Sequence, residues 1–319
     1  MHLRILFFLF FSATLCAQKT DYQRAEEYFK AENFSKAKPL FSAYLKQHPD
    51  DSKTREYLGD IAAYAKNWDE AIAIYERLLE ENPSSANFNF KYGGALGMKA
   101  LSISKLRALT YIDDIKEHFT KAAELDPKHI ETRWALVELY LQLPGIIGGS
   151  EKKAEAYAME LQHISPVDGY LARGYVAEYK KDMKAAEALY KKAIQVGGSP
   201  TTYEKLINLY EKKNEPKKAI DTASSSLKLH KRNQINYQIG KIAAEFNIEH
   251  DLGLASLKHY IANHSVKDGV PVSWAHYRMA QIYKNRGDKT RATHYINLAL
   301  AEKPDFEQAL EEKERISKL

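Results

Sequence analysis

Many side chains in this sequence could do chemistry, but their spacing assigns none of them a reaction. Of 11 histidines, ten lie beyond residue 17, and none falls in a His-Glu-x-x-His or Cys-x-x-Cys setting that would hold zinc. His259 and His264 stand five apart, which does not place them on one helical face. Structural or surface histidines are the expectation, with no metal and no cofactor. Carboxylates are plentiful, yet nothing pairs two of them for acid–base work. The string from Gly145 to Lys152 resembles a phosphate loop only superficially, because Ser150 stands where that loop's second glycine belongs. There is no Gly-x-Ser-x-Gly nucleophile elbow. We therefore expect no enzyme.

Two other sets of residues could make a binding surface. Lysine pairs recur at Lys180-Lys181, Lys191-Lys192, Lys212-Lys213 and Lys217-Lys218, and residues 180–232 hold thirteen cations and six anions. This stretch is either a solvated outer face or a basic belt for an acidic partner, such as a phospholipid surface or an anionic polymer. Aromatic residues recur as well, and the elements that carry them decide what they can do.

Those elements follow a period. In Asn67 to Pro83, Ala71, Tyr75 and Leu78 share one helical face, Asp69 is placed to cap the start, and Pro83 ends the helix. The same frame stands at Ala37, Phe41, Tyr44 and Pro49, and again at Ala292, Ile296, Ala299 and Pro304. The series of helix-face positions runs Ala37, Ala71, Ile115, Ala154, Ala186, Ala219, Ala255 and Ala292. A small residue precedes most of them, namely Ala25, Gly59, Gly93, Gly174, Gly240 and Ala280. Glycine inside a helix costs about 1 kcal/mol relative to alanine and is tolerable where two helix backbones must approach closely.

A small residue, then alanine, then an aromatic four further on and a closing proline, at a period of thirty-four, resembles the tetratricopeptide repeat. The resemblance covers nearly the whole chain in about eight units, of the kind found in bacterial secreted or periplasmic proteins. It implies an all-α fold, a right-handed α-solenoid of helix-turn-helix repeats over residues 18–304 with a capping helix at 305–319. In that capping helix Phe306, Ala309, Leu310 and Lys313 set one face. The sixth and seventh units lack the proline and carry Ala223 and His259 at the aromatic position. The third is ten residues too long, which predicts a lengthened hairpin turning near Ser102 to Ser104. The fourth is five too long through Leu143 to Ser150, where Pro144 ends a helix and Ser150 caps the next. Ile146 and Ile147 in that loop are expected to pack on the hairpin near Leu101, Ile103 or Leu106.

The family binds proteins or peptides along a concave face formed by the first helix of each pair. Its concave positions, carried across, fall on Tyr22, Phe29, Tyr64, Phe90, Met98, Trp134, Tyr175, Tyr179, Tyr237, Trp274 and Tyr277. Tyr64, Phe90, Trp134, Tyr175, Tyr179, Tyr237, Trp274 and Tyr277 are the ligand-groove candidates, with core packing as the competing explanation. The lysine–asparagine clamp that some relatives use for a terminal carboxylate is absent, because its positions hold Tyr22 and Glu26, Glu56 and Asp60, and Phe90 and Gly94.

Location and partners complete the expectations. Arg4, the apolar run Ile5 to Leu15 and small Ala17 make residues 1–17 a secretory signal peptide, too short to span a bilayer. A lipid anchor on Cys16 is the rival, disfavoured by Leu15. Cys16 is the only cysteine, so no disulfide is expected in a periplasmic or secreted product. Beyond residue 17 the net charge is +4, which argues against a nucleic-acid binder. A scaffold that binds a protein segment, with no enzyme activity, is the expected function; a permanent structural subunit of an envelope assembly is the alternative.

Overall fold

The computed structural model describes residues 20–319; residues 1–17, the expected signal segment, lie outside the described residues. These residues are helical throughout, with no strand among them, and they divide after Thr132 into two compact units. The first unit holds α1 (Asp21–Lys30) and α2 (Phe34–Gln47), then α3 (Ser52–Tyr64) and α4 (Trp68–Glu81). Its third pair is α5 (Ala86–Leu101), a short α6 (Lys105–Ala108), and α7 (Ile112–Leu125). The next pair is α8 (Ile130–Gln142), which starts at the division, and α9 (Glu151–Ile164). The second unit continues with α10 (Pro166–Tyr179) and α11 (Met183–Gly197), then α12 (Pro200–Lys212) and α13 (Pro216–His230). It ends with α14 (Asn233–Glu245) and α15 (His250–Ala262), α16 (Val272–Asn285) and α17 (Lys289–Glu302), and the single α18 (Glu307–Ser317).

Small-against-large contacts hold each pair together. A Cβ on Gly59 would sit 2.7 Å from the Tyr75 ring, and one on Gly174 would sit 2.3 Å from the Tyr190 ring. The glycines are therefore required by packing, since no rotamer of a buried tyrosine escapes a contact that short. Ala37, Ala71, Ala154, Ala186, Ala219 and Ala292 are fully buried, and Ile115 nearly so, at the positions the period marks. The closing prolines have a second use that the sequence did not disclose. The Pro49 carbonyl accepts from the buried Arg55 guanidinium at 2.5 Å, and the Pro83 carbonyl accepts from buried Asn89 Nδ2 at 3.2 Å. In each case a side chain in the following helix fastens the turn that leads into it.

Several expectations are corrected. In the seventh pair Ala255 and His259 are exposed. Gly253 is buried against Ala243, and Leu257 lies where a Gly240 side chain would go. The register is thus two residues earlier than the sequence pattern gave, because a left-handed turn at Asn247 and Glu249 alters the link between the helices. Asp69 does not cap α4: Asn67 occupies the cap position, and the Asp69 carboxylate takes Lys99 Nζ at 2.7 Å. The long hairpin turns at Ser102 to Ser104 as expected, but its return arm is broken into α6 and a single 3-10 turn before α7. Ile112, Ile115 and Phe119 are buried there, while Leu106 and Leu109 are exposed.

In the fourth pair Ser150 does cap α9, accepting from the Lys153 amide at 3.2 Å. Ile146, however, is 95% exposed, whereas Ile147 is half-buried. The glycine loop closes through its own backbone instead, with the Gly149 amide donating to the Pro144 carbonyl and the Ser150 amide to the Tyr140 carbonyl. In α18 the buried face is Phe306, Ala309, Glu312 and Ile316, and Leu310 is half exposed.

Candidate functional site

The eight candidate aromatics separate by environment. Tyr64 is the last residue of α3 and is 64% exposed. Its ring stacks on Phe34, the first residue of α2, with centroids 4.6 Å apart. With Ser35, Lys38, Pro39, Ile61 and Ala65 the two rings line a cleft of about 510 Å³. Pro39 has no N–H to return to the Ser35 carbonyl, so the helical ladder has a gap where it faces the cleft. The one cation on the wall, Lys38, is held by Glu70 at 2.8 and 3.2 Å. What remains is an apolar depression with an aromatic floor, suited to an apolar side chain from a partner.

Other candidates pack against neighbouring helices. Trp134 is half-buried, and its Nε1 donates to Asp168 Oδ1 at 2.9 Å. Asp168 in turn accepts from Ser165 Oγ at the start of α10, so the indole brackets α8 to α10. Tyr277 is buried, and Trp274 lies half-buried beside it; both pack on Phe306, with centroids 5.3 and 4.5 Å away. Tyr277 is core beneath α18 and presents no free face to a ligand. Phe90 is half-buried against Phe119 and His129.

Tyr175 is half-buried under Lys205, while Tyr179, at the end of α10, is 48% exposed. Tyr237 packs on Tyr260 and edges a second cleft of about 440 Å³, between α12 and α14, which also takes in Glu204, Asn208, Gln238 and Lys241. Sequence reasoning missed Phe34, Pro39, Asn208 and Gln238. Phe34 and Pro39 sit on a second helix, and the family's concave positions were sought only on first helices.

The groove-position carboxylates bind the next helix. Lys91 Nζ on α5 donates to Glu56 Oε1 at 2.6 Å and to both Asp60 oxygens at 2.7 Å, on α3. Asn87 and Lys53 also donate to Glu56. Burial pushes the Glu56 carboxyl up, but the hydrogen bond and charge of Lys91 outweigh it and bring the pKa to about 2. Tyr75 donates to Asp60 at 2.7 Å, and burial beside that carboxylate raises the phenol far above its usual value. Glu26 accepts from Tyr57 one pair earlier.

The second unit repeats the device: Glu178 on α10 takes Lys212 of α12, Glu211 of α12 takes Lys241 of α14, and Glu245 of α14 takes Arg278 of α16. These acids are fasteners between successive first helices.

The lysine-rich stretch is partly neutralised from within. Lys191 and Lys213 hold Glu187 at 2.8 and 2.5 Å and bring its pKa to about 2; Lys213 and Lys218 hold Glu215. Among the described residues no group of three or more His, Cys, Asp or Glu side chains could hold a metal ion. No helix among them is long and apolar enough to cross a membrane.

Models of the tetratricopeptide repeat match residues 22–86, 167–196 and 275–306. No curated protein sequence matches the chain. Among solved structures, a tetratricopeptide repeat protein from Parabacteroides merdae aligns with a TM-score of 0.50 at 12% identity, over 93% of this chain and 97% of that one. YrrB, a repeat protein with an unusual peptide-binding site, aligns at 0.43 and 19% identity, over 61% of this chain and 97% of its own. A repeat protein of Thermus thermophilus aligns at 0.40 and 14% identity, over 76% and 97%. Serial helix pairs with small-on-large crossings, repeat matches near both ends of the described residues and the likeness to the Parabacteroides protein agree, and this chain has the tetratricopeptide-repeat fold.

Proposed function

We propose that this protein is a non-enzymatic scaffold that binds a segment of another protein outside the cytoplasm. Tetratricopeptide repeats generally mediate protein–protein interactions, and the observation that makes the reading specific is the Tyr64 cleft. An exposed, pre-stacked pair of rings beside a neutral apolar wall loses little side-chain entropy on binding and gives up much water-contacting area, the properties of interface hot spots. A partner's leucine, methionine or aromatic side chain is the fitting occupant. Export rests on the signal-like residues 1–17.

The test is a photo-crosslinking residue at position 64, introduced in the native host, followed by identification of the crosslinked product. A defined protein partner, lost in Phe34→Ala at unchanged helical circular dichroism and retained at raised salt, is expected. Labelling indistinguishable from a site on the outer face of α4 would overturn the reading. Native mass spectrometry of the same material should show an N-terminus at Gln18; an intact Met1 or lipid on Cys16 would remove the export claim.

A further inference from the structure

The long hairpin of the third pair is used by neither the cleft nor the fasteners, and its composition is unlike the rest of the chain. From Asn82 to Ile112 there is no acidic residue, while Lys91, Lys99, Lys105 and Arg107 are all cationic. Lys91 and Lys99 are consumed by Glu56, Asp60 and Asp69. Lys105 and Arg107 are exposed and have no ion-pair partner among the described residues. Around them stand Leu101, Leu106 and Leu109, exposed by 72, 79 and 46%.

Three leucines left in water within nine residues of chain, at the end of the longest helix of the first unit, are not explained by folding. Two of the three hydroxyls at the tip are already used: Ser102 Oγ donates to the Lys99 carbonyl and Thr110 Oγ1 to the Arg107 carbonyl, each at 2.8 Å. Ser104 Oγ alone caps nothing and would take its partner from the polar headgroup layer.

We propose that this hairpin tip docks on an anionic lipid surface, with the leucines entering the interfacial layer and Lys105 and Arg107 meeting the lipid phosphates. Apolar side chains flanked by cations are the composition that binds such surfaces, where burial of apolar area and attraction to anionic headgroups add. A protruding tip of alternating leucines and cations needs no shaped pocket opposite it, which a fluid bilayer does not offer. A second copy of the chain is a poorer occupant, because it would set Lys105 and Arg107 against themselves, and the hairpin's sequence holds no carboxylate between Glu81 and Asp113. Asp113 and Asp114 open α7, beyond α6 and the 3-10 turn, so that break separates both acids from the leucines of the tip.

The experiment compares the full chain and its Leu101→Asp/Leu106→Asp and Lys105→Glu/Arg107→Glu variants, each purified as the host leaves its N-terminus, so that segment is common to all. Each is sedimented with phosphatidylglycerol-containing vesicles and with pure phosphatidylcholine vesicles, at low and raised salt. The expected result is binding to the anionic vesicles, at least about tenfold weaker in either variant and weakened by salt, at unchanged helical circular dichroism. Equal binding by the variants, or none by the parent chain, overturns the proposal. So does a dimer of the parent chain in sedimentation velocity that the leucine variant dissolves, which would give the surface to a second copy.

Discussion

Single side chains decide which candidate residues are available to a partner. Tyr64→Ala removes an exposed ring that stacks on one neighbour, and should lower stability by no more than about 1 kcal/mol while weakening capture, in a pull-down, of the partner that the crosslink identifies. Trp134→Ala removes a half-buried indole and strands Asp168, and should cost roughly 2–4 kcal/mol, somewhat below the range for a fully buried tryptophan. Thermal melts of the two variants separate the roles. At Glu56 the folded pKa of about 2 lies below the ordinary value of 4.5, so its contribution is present above pH 4.5 and is lost as pH falls through 2. The loss amounts to about 2–3 kcal/mol. Urea titrations between pH 5 and pH 2 should show this acid limb in the parent chain, and Glu56→Gln should flatten it.

The sequence named Glu56 and Asp60 only as departures from a clamp. Their partner Lys91 was legible in principle, since a period near thirty-four makes residues about that far apart neighbours. Which rotamer meets which was not legible, because periodicity places backbones and leaves long side chains free to choose.

At the scale of the helix pair, crossings are set by volume. Gly174→Ala would place a methyl 2.3 Å from the Tyr190 ring and should cost about 1–3 kcal/mol, the range for overpacking, measurable as a lower urea midpoint. The same substitution at Gly94, where a Cβ meets nothing within 4 Å, should be neutral or stabilising. The period and its small residues made these crossings readable. The seventh pair was misread because the pattern counts residues, whereas the left-handed turn at Asn247 and Glu249 changes how many the link needs. Ile146 was misread for another reason: apolar side chains were assumed to seek cover, and the loop's backbone hydrogen bonds ask nothing of it, although the neighbouring Ile147 is half-buried.

At the scale of the units, packing is continuous from α10 onward, where buried residues from Leu171 to Ile316 form one cluster. In the first unit the buried residues Ala25 to Ile61 and Ala62 to Ala95 fall in separate clusters. In a repeat protein each unit leans on its neighbours, so local opening follows that continuity. Hydrogen exchange should find the helices from α10 to α17 protected at one common level and α1 and α2 exchanging from a lower one; a single uniform level throughout would contradict this.

The fasteners of the second unit also carry a direction. Three times a carboxylate on one first helix meets a cation on the next, and at Lys284 of α16 with Glu312 of α18 the order is reversed. Excising α12 and α13 would bring Glu178 before Lys241, and an acid would still precede a cation. A gene built this way can gain or lose a helix pair by duplication or deletion without leaving a charge orphaned at the new joint.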